Sequence, residues 1–499
     1  MSVLEIIILV PILAALAIWI GAPARATAVA AAALNLILLL GMAWQFPASA
    51  SESGSLAFTS SREVLQNPEI HFAVGVDGVA LILTLLTGLV TLAAIWQIQD
   101  DKPRIYYTAS LLISGGALGA FASTDLFFLY AFHELALIPT FLMIGLHGQG
   151  EPAHRRAVAW KTTIYLGAGS LVLLAGLVWA VLEYSPAQQM TFDLEALRSQ
   201  AAASPLPAAK QGVIFFVLLI GFGTLVSLFP FHSWAAPAYA TAPTPVAMLH
   251  AGVLKKFGLY GLIRIAIPLL PEGAQVEWVQ QAMLWMLLGN ILIMGLVTIH
   301  QTKLDSMLAN SSVMHMGYIF LGIAAGTDIA LKGAVLLMFA HGISIALLFA
   351  LSGRMRNQLG TLELSKLGGL ASHAPAFTVL FAIGAFASIG LPGLANFAGE
   401  VMVFAGCFTG HGLKELGQLQ WTVVGALWGV VMSAVYMLRA YRSVFQGSAQ
   451  SGLFMTDPSI SQRWPLVLLA AALLIAGCCP WLLLNLLKSS LAAAEIAAL

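Results

Sequence analysis

Long runs of apolar residues, separated by short polar connections, make up most of this chain. A helix needs about 20 apolar residues to cross the hydrocarbon core of a bilayer. The runs therefore predict an all-α polytopic membrane protein with fourteen transmembrane helices. The predicted crossings are residues 2–20, 27–46, 79–98, 105–123, 124–146, 159–183, 211–231, 245–270, 278–300, 307–325, 330–352, 374–408, 420–443 and 464–487. The longer connections, 47–78 and 184–210, are interpreted as surface loops with short amphipathic pieces.

The composition agrees with a chain that lies mostly in a lipid bilayer. Hydrophobic residues make up 60% of the 499 residues and charged residues 9%, whereas a soluble domain carries roughly a quarter of charged residues. The formal net charge is zero, which argues against a nucleic-acid-binding surface. The apolar N-terminus lacks the basic region of a cleaved signal peptide, and is interpreted as a retained first helix.

The distribution of basic residues predicts an orientation in the membrane. Short cytoplasmic connections of membrane proteins carry an excess of Lys and Arg. Connections after odd-numbered helices hold thirteen such residues, and those after even-numbered helices hold six. The odd connections are therefore predicted in the cytoplasm, with both termini on the outer, periplasmic face of the cell inner (plasma) membrane.

Two of the apolar runs contain helix breakers. Four prolines lie within residues 227–245, and Leu-Pro-Gly at 391–393 interrupts a run too long for one simple crossing. Proline removes a backbone donor, and carbonyls freed at membrane depth are tolerated only inside protein or beside water. Paired interruptions indicate inverted repeats around a transport path. Kinks that only shape helix packing are the alternative.

Ionisable side chains are predicted inside several of these spans. Glu134 is the strongest case, because a carboxyl in the middle of an apolar span costs at least ~2.5–3.5 kcal/mol. Glu400 follows the second break by one to two turns. Neither side chain is long enough to reach water easily. The other ionisable residues in the spans are Lys255, Lys256, His315 and His341, with His133 and His250 at or near the same depth.

Intramembrane Glu, Lys and His residues are the usual components of proton relays. Other interpretations stay open at this point. A lone histidine in a membrane helix more often packs through hydrogen bonds. Lys256 could instead extend its amine to the membrane surface. Lys255 and Lys256 point about 100° apart around a helix, so both cannot face one narrow path.

Motifs for several other chemistries are absent from the sequence. It contains no Gly-rich phosphate loop, no CxxC array for iron–sulfur clusters and no zinc-ligand spacing. Cys407, Cys478 and Cys479 form no redox motif, and are interpreted as small apolar residues. The chain is therefore expected to carry no redox centre or other cofactor of its own.

Eight short segments together form a specific pattern. They are residues 75–78, 125–139, 230–234, 242–244, 251–256, 311–317, 340–342 and 390–400. This pattern resembles subunit M of the proton-pumping NADH:quinone oxidoreductases (respiratory complex I, mitochondrial subunit 4). That family is related to Mrp-type cation/proton antiporters and to membrane-bound hydrogenases.

The resemblance implies an antiporter-like subunit in the membrane arm of such an enzyme. It would translocate protons along a buried chain of ionisable residues, driven by electron transfer in other subunits. Glu134 would be the modulating carboxylate, Lys256, His315 and His341 the relay, and Glu400 the carrier on the exit side. NADH, FMN, iron–sulfur clusters and quinone are expected in partner subunits, and other membrane-arm subunits are the expected partners.

The resemblance also suggests a division of the chain into four parts. Residues 1–104 would hold helices 1–3, and residues 105–270 a first antiporter-like repeat of helices 4–8. Residues 271–443 would form the second repeat, helices 9–13, and residues 444–499 the C-terminal loop and helix 14.

The sequence departs from the family pattern at several positions. The lysine that usually lies seven residues before the histidine of the seventh-helix motif is Leu225 here. That lysine usually pairs with the fifth-helix glutamate, so we hypothesise that His133 or Lys256 partly takes over its role beside Glu134. The other departures are Tyr239 in place of a histidine, reversed charges in Lys303-Leu-Asp-Ser306, and His133 in place of an aromatic residue.

Three alternatives to this function stay open. The chain could belong to a multisubunit cation/proton antiporter that works without redox partners. It could also be an ion-pumping subunit of a membrane-bound, hydrogenase-like complex. Leu225 favours a third possibility, a structural paralogue that does not pump.

Overall fold

A computed structural model of the chain has helices at every predicted crossing. It describes residues 1–50 (side chains only to 46), 56–99, 101–185, 189–409, 416–448, 454–488 and 490–491. The helices are α1 Val3–Ile20, α2 Ala24–Ala50, α3 Gly78–Trp96, α4 Arg104–Ala122, α5 Leu126–His147, α6 Pro152–Tyr184, α7 Leu194–Ala203, α8 Ala208–Val226, α9 Ala235–Thr241, α10 Thr244–Leu269, α11 Glu277–Ile299, α12 Leu304–Ala325, α13 Asp328–Leu359, α14 Pro375–Ile389, α15 Ala395–Gly406, α16 Gln418–Phe445, α17 Ile460–Cys478 and α18 Trp481–Leu484.

The predicted number of crossings is confirmed. In the described part of the chain, thirteen helices are long and apolar enough to span a membrane. The remaining crossing is divided between the shorter helices α14 and α15. Side chains cap several of these helices at their first turn: Asp77 accepts a hydrogen bond from Ala80 N at 2.9 Å, and Asp125 accepts one from Phe127 N at 2.8 Å.

The connection at 47–78 contains a β-hairpin, which the sequence analysis did not predict. Strand β1 (Ala57–Gln66) pairs antiparallel with β2 (Glu69–Val76), and Glu69 forms a bridge to Thr191 in the other long connection. The two connections therefore lie on the same face of the helical bundle, as expected for two even-numbered connections. Most of β1 is exposed and polar, so it carries no hydrophobic signal, and only the pairing of its backbone makes it a strand.

Both predicted helix breaks are confirmed. Helix α8 ends at Val226, and Ser227 adopts a left-handed conformation with φ +70°. Two side chains bond to backbone groups beside this break: Trp234 Nε1 donates to Thr224 O at 3.0 Å, and Asn290 Oδ1 accepts from Phe229 N. The second break separates α14 from α15, with Gly390 at φ +82° and Gly393 at φ +89°. Backbone groups at membrane depth thus find partners inside the protein.

The centre of the bundle consists of α10, α12 and α13, whose apolar windows are entirely buried. Helix α13 packs against α3, α10, α12, α14, α15 and α17. The outer helices α1, α2, α11 and α16 expose large apolar side chains, among them Trp19, Trp44, Trp285 and Trp428, as expected for surfaces in contact with lipid. Helices α10 and α11 are not regular throughout: His250–Leu254, Leu262–Ala266 and Gly289–Ile293 have π-helical hydrogen bonding.

Candidate functional site

Glu134, on α5, lies in a small polar cluster with residues of α6. Its Oε1 accepts a hydrogen bond from Ser170 Oγ, which also lies 3.1 Å from the Tyr130 hydroxyl. His133 Nδ1 is 3.4 Å from the same Oε1. The His133 side chain is 3% exposed and that of Glu134 is 36% exposed, so the carboxyl lies at the edge of the core. Glu134 is therefore held by hydroxyl and imidazole groups; Leu225, which is buried in α8, adds no charge.

A second buried histidine, His250, begins the π-helical segment of α10. It packs edge-on against Trp234, 5.6 Å away, and lies 5.5 Å from the Tyr239 ring. On the same helix, Phe257 stacks on the His133 ring with 4.1 Å between centroids. Neither ring nitrogen of His250 has a hydrogen-bond partner among the residues described.

The π-helical segment of α10 prepares the position of Lys256. In a regular α-helix, Lys255 N would bond to Ala251 O, but here it bonds to His250 O at 3.1 Å. The Ala251 carbonyl instead accepts a hydrogen bond from Lys256 Nζ at 2.7 Å. Lys256 is completely buried, so the alternative in which it extends to the membrane surface is wrong. Such π-bulges are frequent at functional sites.

Lys256 is in direct contact with a pair of histidines on the neighbouring helices. Lys256 Nζ lies 3.0 Å from His341 Nδ1, and the rings of His341 and His315 are 5.5 Å apart between centroids. His315 Nδ1 faces the Ser311 carbonyl and its Nε2 faces the Ser388 carbonyl, each at 2.8 Å. Both are hydrogen bonds only when the ring carries two protons. The arrangement therefore suits an imidazole that accepts and then holds a proton.

Glu400, on α15, lies beyond the histidines at the second helix break. Its carboxyl packs against Gly390, and it makes no hydrogen bond to any residue in the described ranges. Two buried tyrosines lie beside His315. Tyr318 packs edge-on against its ring at 5.8 Å, and the Tyr436 hydroxyl lies 2.8 Å from Ser311 Oγ. A proton can pass from His315 toward Glu400 through such hydroxyl groups or through water.

The structure thus brings together three of the five predicted site residues and places the other two at the ends of the chain they form. Lys256, His341 and His315 are in contact, with Glu134 on one side and Glu400 on the other. Several further polar residues to which the sequence analysis gave no role pack near these five: Tyr130, Ser170, Tyr239, His250, Lys255, Ser311, Tyr318 and Tyr436. Ser311 stands one turn before His315, which is a usable sequence signal. No comparable sequence signal marks Tyr436, on α16.

Of the two charges around the tenth helix that are reversed relative to the family pattern, Asp305 has an ion-pair partner and Lys303 is held through its backbone. Asp305, in the first turn of α12, accepts from Arg356 Nη2 at 2.7 Å, and Lys303 pairs through its backbone with Glu363. In the described ranges, no group of three or more His, Cys, Asp or Glu residues is placed to hold a metal ion.

Comparison with known proteins identifies the family to which this sequence pattern belongs. The family model described as "NADH:quinone oxidoreductase/Mrp antiporter, TM" matches residues 123–416, more than half of the chain. The chain belongs to this family. Its matched region includes all five predicted site residues, from the fifth helix to the second helix break.

Individual proteins are similar to this chain over most of its length. The NAD(P)H-quinone oxidoreductase chain 4 2 of Microcystis aeruginosa is 37% identical over 388 residues, which cover 77% of this chain and 67% of that protein. A chain in the structure of respiratory complex I from Thermus thermophilus with bound NADH superposes with a TM-score of 0.88, 29% identity and 99% coverage of both chains. A chain of the Mrp complex from Dietzia sp. has a TM-score of 0.82 at 19% identity, with 99% and 98% coverage, which shows a shared fold.

Proposed function

We propose that this chain is the antiporter-like membrane-arm subunit of an NADH:quinone oxidoreductase, and that it translocates protons along the buried polar axis. Electron transfer in other subunits supplies the driving force. The observation that carries this proposal is the contact between Lys256 and His341, with His315 beside them, in the fully buried centre of the bundle.

Each of the five residues has a role in this proposal. Glu134 is the modulating carboxylate at one end, and its charge state changes the field along α10. Lys256, His341 and His315 form the relay, in which each amine or imidazole nitrogen accepts a proton from its neighbour and passes it on. Glu400 receives the proton on the exit side through the tyrosine hydroxyls or water. The proposed division into two repeats, 105–270 and 271–443, gives each repeat one helix break.

The chain's own residues do not provide the energy for this transport. Moving one proton against 100 mV costs about 2.3 kcal/mol. The proposal places NADH, FMN, iron–sulfur clusters and quinone in partner subunits, and other membrane-arm subunits as neighbours. Its support is the 37% identity to a quinone oxidoreductase chain 4 and the match to a complex I chain along its full length.

The proposed location is the cell inner (plasma) membrane, with both termini on the periplasmic face. Its support is the excess of basic residues in the odd-numbered connections. Single cysteines placed at Ser2 and in the connection after α5 test this orientation with a reagent that does not cross membranes. Labelling of intact cells at position 2 and not after α5 is expected; the reverse pattern would overturn the orientation.

Substitutions in the assembled enzyme test the function. Glu134→Gln, Lys256→Met and Glu400→Gln each remove a proton-binding group while keeping most of the side-chain volume. Each is expected to lower the number of protons translocated per electron, measured in vesicles, by at least half. Glu183→Gln is the matched control, because Glu183 pairs with Lys210 away from the axis. A normal proton yield in all three axis variants would contradict the proposal.

One observation favours a second candidate, a structural paralogue that does not pump. In the described part of the chain, Glu134 has no lysine or arginine within ion-pair distance, and the basic side chain beside it is His133, with Nδ1 at 3.4 Å. If the chain pumps protons, His133 must replace the usual lysine as the basic partner of Glu134. His133→Phe should then lower the proton yield, and Leu225→Lys should restore part of it. A non-pumping subunit would show no change in either variant.

A further inference from the structure

Lys255, which has no role in the path described above, is as deeply buried as Lys256. The two adjacent lysines are 1% and 0% exposed. Lys255 Nζ donates a hydrogen bond to Ser312 Oγ at 3.2 Å and lies 5.3 Å from the centre of the Tyr239 ring. Neither lysine reaches the membrane surface, although snorkelling is the usual behaviour of lysines in membrane helices.

The two amines point toward different neighbouring helices. Consecutive side chains of a helix are about 100° apart. Lys256 therefore contacts His341 on α13, whereas Lys255 contacts Ser312 on α12 and Tyr239 on α9. The expectation that both cannot face one narrow path is consistent with this geometry, because the two amines face two paths.

Among the described residues, no carboxylate compensates the charge of either lysine. Within the part of the chain that the structure describes, neither amine forms an ion pair with Asp or Glu. A buried charge without a counter-ion is strongly disfavoured, and a second positive charge beside it adds repulsion. Two protons on this pair are therefore much less favourable than one.

We propose that Lys255 is a second proton-binding position of the axis and that the Lys255–Lys256 pair shares a single proton. This inference rests on the proposed proton path. When Lys256 releases its proton it becomes a neutral amine, Lys255 becomes an ammonium, and the charge of the pair stays at one. The His250 ring lies 5.5 Å from the Tyr239 ring, which Lys255 Nζ approaches to 5.3 Å. Its two ring nitrogens have no partner among the described residues, so it can relay that proton.

The shared proton gives α10 two routes to the same histidine. One route runs from Lys256 through His341 to His315. The other runs from Lys255 to the Ser312 hydroxyl and on through the hydroxyl of the adjacent Ser311, which lies 3.5 Å from His315 Nδ1. The titratable groups that face Lys255 are Tyr239 of α9, His250 and Lys256 of α10, His315 of α12 and His341 of α13.

The charge of the pair can be measured without any transport assay. The full-length chain with ¹⁵N-labelled lysine, in lipid bilayers at neutral pH, should show one neutral amine signal by solid-state NMR. Lys255→Met and Lys256→Met should each abolish it, because the remaining lysine then keeps the proton. Two neutral signals or none in the unaltered chain would overturn the proposal, as would a neutral signal that persists in either variant.

Proton yield in the assembled enzyme tests the role of Lys255 in transport. Lys255→Met and Lys255→Arg should each lower the yield at least twofold, since arginine keeps the positive charge but does not release a proton. Lys332→Met, at an exposed ion pair with Asp328, is the matched control and should not change the yield. If Lys255→Arg retains the full proton yield while Lys256→Met and Glu400→Gln lower it, the role of Lys255 is contradicted and the proposed function is not. If none of these variants has an effect, the proposed function fails.

Discussion

Asn290 connects the first helix break to the helix that carries His315. Its replacement by leucine should therefore destabilise the packing of both segments. Asn290 lies in the π-helical segment of α11 and is completely buried. Its Oδ1 accepts from Phe229 N within the break, and its Nδ2 donates to Val313 O on α12 at 2.8 Å. Leucine has the same branching at Cγ and provides neither group.

The magnitude follows from the groups left without partners. A buried donor that loses its only partner costs about 1–3 kcal/mol, and this applies to Phe229 N. The free-energy cost at Val313 O is smaller, because this carbonyl has a second lone pair and lies within a helix. Hydrogen bonds between membrane helices average about 0.6 kcal/mol. The sum predicts a loss of about 2 kcal/mol in the free energy of unfolding for Asn290→Leu.

Equilibrium unfolding of the purified chain in mixed detergent–SDS micelles measures this loss. Asn357→Leu, at an exposed position of α13, is the control for adding an apolar side chain. The proton yield of the assembled enzyme should also fall, because the displaced α12 carries His315 away from His341. A difference of less than about 0.5 kcal/mol between Asn290→Leu and Asn357→Leu would refute the reasoning.

Three further predictions concern single contacts. Gly390→Ala should lower the proton yield, because the added Cβ would meet the Glu400 carboxyl. Gly393→Ala is the control, since it has the same left-handed strain of about 1–2 kcal/mol but open space around the added Cβ. Equal proton yields in the two variants would contradict this prediction. Ser170→Ala removes the donor to Glu134 and should lower the yield, unlike Ser433→Ala, whose hydroxyl bonds only to Val430 O. Arg264→Gln breaks a buried pair with Asp77 at 2.8 Å and should cost about 3–5 kcal/mol in the same unfolding assay. The double variant with Asp77→Asn should recover part of that loss, and strict additivity would count against a buried ion pair.

The candidate site was partly predictable because membrane interiors make ionisable residues conspicuous. Glu134 and Glu400 stand out in apolar runs, and the histidines and Lys256 fall on matching motif positions. Their mutual contacts were not predictable, since Lys256 and His341 are 85 residues apart and meet only when α10 packs on α13. Lys255 shows the same limit: its sequence position is compatible with snorkelling, and only the packing of α9 and α12 around it excludes that.

The sequence alone determined the helical class, the number of crossings and the two breaks. The physical reason is that a bilayer requires about 20 apolar residues per crossing and that proline removes backbone donors, so both features are local. Tertiary structure decided which polar groups meet. It placed Asn290 against the break at Phe229, freed Ala251 O for Lys256 and paired β1 with β2. The first of these contacts joins segments 61 residues apart and is specified by packing. The other two are short in sequence, but the π-helical turn of α10 and the exposed, polar strand β1 leave no hydrophobic pattern that predicts them.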